Sequence, residues 1–224
     1  MAMTIGQNIQ EVEKRISLAC QRAGRSPNEV KVVAVTKTIE VPAIHAAFDA
    51  GIKDFGENRV QEASRKIEGL RNLRPDFTWH MVGHLQRNKV KTATEIFDII
   101  QSVDSLSLAE SLNACSQERL QILIQVNVAA EVTKGGFCPS EIEEMADKIG
   151  RLPNLEILGL MTIAPWTSDI EKVRPVFRKL RELRDALKLR QLSMGMSDDF
   201  EVAIEEGSTL VRIGRAIFGE RKLT

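Results

Sequence analysis

Two hydrophobic periods alternate along this chain, and that alternation constrains its fold more than any other feature. Short runs of Val, Ile, Leu and Phe occur at 30–35, 52–55, 78–82, 97–103, 120–128, 155–161, 189–194 and 210–213. Runs this short and this apolar read as strands buried on both faces. Between them lie helical patterns at 41–50, 59–70, 85–94, 106–115, 140–149, 170–187 and 197–207. One more helix precedes the first strand. Across 4–23, Ile5, Ile9, Val12, Ile16, Ala19 and Ala23 recur every three or four residues, with Thr4 and Gln7 placed as a capping box and Gly24 just past the end. Ser140 with Glu143, and Ser197, are the expected caps of two later helices, and Pro175 marks a kink or a late start.

Strict strand–helix alternation implies parallel strands joined by helical crossovers. Eight such units in 224 residues fit an α/β chain forming a single (β/α)8 TIM barrel over 1–224 with one extra N-terminal helix. A doubly wound open sheet is the rival architecture. It calls for a Gly-rich turn after an early strand, and Val35-Thr36-Lys37-Thr38 is not one.

Composition narrows the function classes. Thirty-one basic residues balance thirty-one acidic ones, so nothing marks a nucleic-acid surface. Cys20, Cys115 and Cys138 are widely spaced and odd in number, which fits neither a disulfide framework nor a zinc knuckle. Reduced thiols, no secretory leader and no apolar stretch of about 18 residues lead to the expectation of a cytoplasmic protein without a membrane partner.

In a barrel the chemistry sits where strands end at the C-terminal mouth. Lys37 follows the apolar run 32–35, where a low-dielectric wall would lower its pKa and expose a nucleophilic amine; the plainer reading is a snorkelling surface lysine. Arg212 and Gly214 share a face of the last strand. Ser193, Gly195 and Gly214 sit in the loops that bind phosphate in many such barrels, and turn glycines alone would explain either loop singly. Phe55-Gly56-Glu57-Asn58-Arg59 is expected to bring an amide and two opposite charges to the mouth. His80 and His84 on a strand stand about 13 Å apart, which argues against a metal site. Met161-Thr162 reads as packing, and Arg87, Lys89 and Lys91 as a solvated helix face.

Val33-Ala34-Val35-Thr36-Lys37-Thr38, Phe55-Gly56-Glu57-Asn58, the segment 79–89, Ser193-Met194-Gly195-Met196-Ser197-Asp198-Asp199 and Gly207–Gly219 together resemble the pyridoxal-phosphate homeostasis proteins. The likeness runs from the first strand to the C-terminus, with Thr36 standing where serine is common. It implies a monomeric barrel similar to the N-terminal domain of alanine racemase, holding pyridoxal 5'-phosphate as an internal aldimine on Lys37. It further implies that Arg212 faces the pyridine nitrogen, that Gly214, Arg215 and the Ser193-Met194-Gly195 loop hold the phosphate, and that Asn58, His80 and Met161 line the cofactor. Ser208 and Thr209 belong to the motif but precede the last strand, on the stability face.

Three functions fit these residues. One is a non-catalytic carrier that maintains the supply of pyridoxal phosphate, with apo-enzymes that require it as partners. The second is an amino-acid racemase, and the third a cofactor-free Schiff-base lyase. A two-base racemase of the alanine type pairs its lysine with a tyrosine, and this chain has no tyrosine and ends after one barrel. An arginine against the ring nitrogen would weaken the electron sink as well. The expectation is therefore a cofactor-binding protein with no catalytic residue of its own.

Overall fold

An all-parallel sheet has two open edges unless its first strand pairs with its last. Here β1 (Lys31–Val35) pairs with both β2 (Asp54–Glu57) and β8 (Leu210–Ile213). The strands β3 (Thr78–Met81), β4 (Ile99–Val103), β5 (Leu120–Gln125), β6 (Leu155–Met161) and β7 (Gln191–Met196) complete a closed, wholly parallel barrel in sequence order. This is a computed structural model, and it describes residues 3–70, 76–131 and 133–220. The barrel excludes the doubly wound alternative.

The strand period sorts side chains into two populations. Val33, Val82, Ile99, Leu123, Leu158, Met161 and Leu210 fill the barrel interior. Their outward-facing neighbours, among them Ala34, Phe55, Trp79, Ile100 and Leu192, pack beneath the helices. Seven helices follow their strands: α2 (Val41–Asp49), α3 (Val60–Gly69), α4 (Val90–Ile96), α5 (Leu106–Cys115), α6 (Ile142–Gly150), α7 (Arg174–Ala186) and α8 (Phe200–Glu205). A last turn, α9 (Arg215–Phe218), follows β8. Among the described residues, no helix is long and apolar enough to cross a membrane.

The expected elements all form, and the boundaries that differ do so for local reasons. Ile52 does not open a strand, because its N–H closes the end of α2 on the Ala47 carbonyl while Gly51 takes a φ of 104°. Lys188, with a φ of 54°, similarly delays β7 until Gln191. Pro175 sits in the first turn of α7, so the late start is realised rather than a kink. Two expected caps are absent. Ser140 and Glu143 form no capping box; α6 starts after Glu141, whose carboxylate instead accepts the Cys138 N–H. Ser197 lies too far ahead of α8 to cap it and accepts the Ala216 N–H.

The additional N-terminal helix α1 (Ile5–Arg22) has the Thr4–Gln7 capping box and buries Ile9, Val12, Ile16, Ala19 and Cys20. It is bound to the end of the chain by Arg15–Glu201 and Arg22–Glu205 ion pairs, and by Asn8 donating to the Ile217 carbonyl. Glu205 and Glu206 also receive Arg174, while Arg178 and Arg181 of α7 pair with Glu206. The Glu206 side chain is only 5% exposed. Burial alone would raise its pKa, but Arg178, Arg181 and Arg174 together hold it below the usual carboxylate range.

Two predictions follow from this packing. A carboxyl group with a depressed folded pKa stabilises the fold above the ordinary glutamate pKa, and the contribution is lost as pH falls through the folded value. Glu206→Gln should therefore cost about 2 kcal/mol in urea unfolding at pH 7, with the gap to the parent protein narrowing as the pH falls below the ordinary glutamate range. At Gly159 in β6, an added Cβ would lie 1.9 Å from the Gln191 carbonyl oxygen of the neighbouring strand. Gly159→Ala should lower stability by about 3 kcal/mol or more in the same assay, since only backbone movement relieves that contact.

Candidate functional site

The C-terminal ends of the strands open into a cavity of about 610 Å³. Val35 and Lys37 reach it from β1, Asn58 from β2, Val82 from β3 and Ile163 from β6. The loop after β7 adds Met196, Ser197 and Asp198, and β8 with its following turn adds Arg212, Gly214 and Arg215. The lining mixes apolar residues with charged and amide groups, as small-molecule sites usually do.

Five of the ten sequence-derived site residues line this cavity: Lys37, Asn58, Arg212, Gly214 and Arg215. The other five lie beneath or beside it. Met161 is fully buried in the interior apolar cluster. Met194 packs with the outer core under the helices. Gly195 has a φ of 91°, and a Cβ there would press to 2.6 Å from the Ala203 Cβ and 2.8 Å from the Phe200 Cα. Its lack of a side chain therefore serves the packing of α8 on β7. Ser193 and His80 are wholly buried inside the barrel.

Arg212 is the unusual member. Its side chain runs within the barrel and is about 5% exposed, donating to the Ser193 hydroxyl at 2.6 Å and the Thr162 carbonyl at 2.8 Å. Burial pulls the guanidinium pKa down to about 10 against the attraction of Asp199, so it remains charged at neutral pH. Asp199 is itself buried enough that desolvation raises its pKa, although the Met196 N–H and Arg212 both favour its charged form. His80 lies deeper, between Asp54 on Nε2 at 2.9 Å and the Gln101 amide on Nδ1 at 2.8 Å.

Lys37 stands in a segment clamped from behind. Glu57 was expected at the mouth but faces away from it, fully buried, with Oε1 accepting both the Thr36 hydroxyl and the Lys66 ammonium at 2.6 Å. Lys66 Nζ also donates to the Thr36 carbonyl and to Glu62 at 2.6 Å each. Glu62 in turn accepts the Thr38 N–H at 2.5 Å. The residues on both sides of Lys37 are thus fixed by one ionic cluster. Thr38 needs that support, because a β-branched residue at a φ of 64° is strained. Burial raises the Glu57 pKa even though Lys66 and Thr36 bind its carboxylate. Arg59, also expected at the mouth, lines a separate side cavity with Arg65 and His84.

The loops at the β7–β8 side are joined to each other. Ser197 accepts the Ala216 N–H at 3.3 Å, and Asp198 pairs with Arg215. Gly83 is required for a different reason: a Cβ there would meet the Asn58 carbonyl oxygen at 2.4 Å, so the Asn58 backbone crosses directly over it. His84 lies on the surface against Asp104, remote in role from His80, and no group of three metal ligands occurs among the described residues. The Ser208 hydroxyl lies within hydrogen-bond distance of the Met194 carbonyl of β7 and the Leu210 carbonyl of β8, with one proton to give.

Sequence reading missed Gln101, Lys66 and Glu62. A lysine seven residues into a helix or a glutamine within an apolar strand carries no local signal; each acquires its role only through a partner on another strand.

The alanine racemase N-terminal domain family model matches residues 7–222 of the chain. A pyridoxal phosphate homeostasis protein from Aquifex aeolicus is 47% identical, covering 98% of this chain and all of its own. PipY of Synechococcus elongatus PCC7942, solved with PLP bound, superposes with a TM-score of 0.80 at 36% identity, covering 93% of this chain and all of its own. An alanine racemase from Corynebacterium glutamicum shares the fold at a TM-score of 0.65 and 17% identity, with 95% of this chain matching 62% of the racemase. A near-full-length match at this identity, on a barrel with Lys37 and Arg212 at one mouth, places the chain in the pyridoxal phosphate homeostasis protein family.

Proposed function

We propose that this chain binds pyridoxal 5'-phosphate at the barrel mouth through Lys37 and serves in its cytoplasmic supply, as a monomeric single-domain carrier without turnover of its own. The observation that carries this reading is the placing of Lys37 and the buried Arg212 on the walls of one 610 Å³ cavity. The donor set fits the group: an amine for an aldehyde, a guanidinium for an aromatic ring nitrogen, an amide at Asn58, and Gly214, Arg215 and Ser197 beside a phosphate. PipY, a relative at 36% identity solved with PLP bound, supports binding of that cofactor by this fold.

Pyridoxal phosphate supplies an aldehyde for covalent attachment and a ring that withdraws electrons when its nitrogen carries a proton. Arg212 works against the second property. A guanidinium only donates, so facing the ring nitrogen it leaves that atom without a proton of its own. The acid/base pair of a two-base racemase is also incomplete, because the sequence holds no tyrosine. What remains is binding: Lys37 attaches, the apolar wall of Val35, Val82 and Ile163 excludes water, and the β7 and β8 loops orient the phosphate. Apo-enzymes that need the cofactor are the partners such a carrier would serve.

Borohydride reduction of the loaded protein followed by peptide mapping should label Lys37; a label on another lysine overturns the site. Lys37→Ala should abolish the label and the near-visible absorbance. The side chain leaves no buried cavity, so the stability of the ligand-free protein should change by no more than about 1 kcal/mol in urea unfolding. Arg212→Ala should retain the label but shift the absorption maximum and weaken affinity. Racemization of free alanine at about 1 per second or faster would place the protein among enzymes instead. A colourless protein that takes up no pyridoxal phosphate would favour the cofactor-free lyase.

A further inference from the structure

Inside the barrel, five polar side chains on different strands form one continuous line from the mouth to the base. Arg212 meets Ser193 at 2.6 Å, Ser193 meets Gln101 Oε1 at 2.6 Å, Gln101 Nε2 meets His80 Nδ1 at 2.8 Å, and His80 Nε2 meets Asp54 Oδ1 at 2.9 Å. Ser193, Gln101 and His80 are wholly buried, so their polar atoms must find partners within the barrel. Asp54 borders a second cavity on the opposite face of the barrel, beside Lys31 and Gly51.

The bond directions follow from the donors and acceptors along the line. A guanidinium has no acceptor, so Ser193 Oγ accepts from Arg212, and because Gln101 presents Oε1 to it, the serine proton is the donor of that second contact. With that oxygen occupied, the Gln101 amide N–H₂ faces Nδ1, which must therefore be the bare nitrogen of the ring. The proton of a neutral imidazole is left on Nε2, aimed at the Asp54 carboxylate. Turning the Gln101 amide round would put the proton on Nδ1 and leave the Asp54 contact to either an imidazolium or a protonated carboxyl, each an added proton in the barrel core. Aligned donors polarise one another, so each bond strengthens the next.

We infer that Ser193, Gln101, His80 and Asp54 are positioning residues that fix Arg212 and set its donor strength toward the cofactor ring nitrogen. The inference rests on the pyridoxal phosphate reading for its functional half only; the bond directions belong to the ligand-free chain. The cationic end of the line lies at the mouth and the anionic end at the base. Asp54 thus ends the line as its anionic acceptor, while Asp199 is the carboxylate that favours the charged guanidinium.

Two measurements test this separately. In ligand-free protein, ¹⁵N chemical shifts of His80 at neutral pH should show Nε2 protonated and Nδ1 bare. Gln101→Glu should convert His80 to the doubly protonated form, because carboxylates would then face both nitrogens. A wild-type Nδ1–H tautomer or imidazolium overturns the direction of the line. In protein loaded with pyridoxal phosphate, Ser193→Ala and Gln101→Leu should move the absorption maximum in the same direction as Arg212→Ala. They should also weaken binding about tenfold, the loss expected when a charged donor loses one acceptor. Ser193→Thr, which keeps the hydroxyl, should restore both properties. Asp54→Asn keeps the acceptor while removing the charge, and a smaller shift in the same direction is expected. If Ser193→Ala and Gln101→Leu leave the spectrum and affinity unchanged while Arg212→Ala alters them, the positioning role falls and the cofactor site stands. If Arg212→Ala also changes nothing, the assignment of Arg212 to the ring nitrogen falls with it, while the His80 tautomer still reports the line itself.

Discussion

A guanidinium almost wholly removed from solvent inside a closed barrel needs acceptors there, because an unpartnered buried charge is costly. Arg212 meets that requirement with a serine hydroxyl, a backbone carbonyl and a nearby carboxylate. Each solution creates a further demand. Ser193 needs an acceptor for its own proton, Gln101 needs one for its amide, and the imidazole beyond needs another. The line closes only at Asp54, where a charge is available at the edge of the barrel. Four residues that look unrelated in sequence thus share one physical cause.

A second polar system lies on the other side of the sheet. Glu57, Lys66 and Glu62 hold Thr36 and Thr38 from outside the barrel, while the Arg212 line occupies the inside. The alternation of strand side chains makes this division possible: in β2, Asp54 supplies the interior line and Glu57 the exterior cluster. Lys37 therefore stands on a backbone fixed from outside and shares its cavity with a guanidinium fixed from inside. Neither group depends on a mobile surface side chain for its placement, which is the preorganisation a tight small-molecule site needs.

The barrel and its mouth were legible in sequence because their signals are local. Eight short apolar runs announce eight strands, and a charged residue after an apolar run announces a strand end, as at Lys37 and Arg212. The capping signals were less informative. Ser197 has the composition of a helix cap, but it accepts the Ala216 N–H, and that contact appears only once β7 and β8 are adjacent. Glu57 was misplaced for a related reason. A residue one position past its expected register faces the opposite side of the sheet, and the partner that makes burial tolerable, Lys66, comes from the next helix. Gly195 illustrates the limit from another direction: its composition suggests an anion cradle, while its spatial neighbours are the backbone and side chain of α8.

The same interior that fixes Arg212 also limits what the site can do. A barrel core filled by aliphatic residues would be simpler to pack, and removing one member of a buried polar line is more damaging than replacing the whole with apolar groups. A chain built only for stability has no use for such a line. Its presence makes sense where the guanidinium at its end must keep one orientation and one charge state regardless of what occupies the mouth. If Arg212 meets the ring nitrogen as proposed, an arginine fixed as a donor would leave that nitrogen bare and favour storage of the cofactor over reaction at it. Under the proposed carrier function, the absence of tyrosine from the sequence and the buried Arg212 point the same way, since a second base and a protonated ring nitrogen are what racemase chemistry at such a site requires.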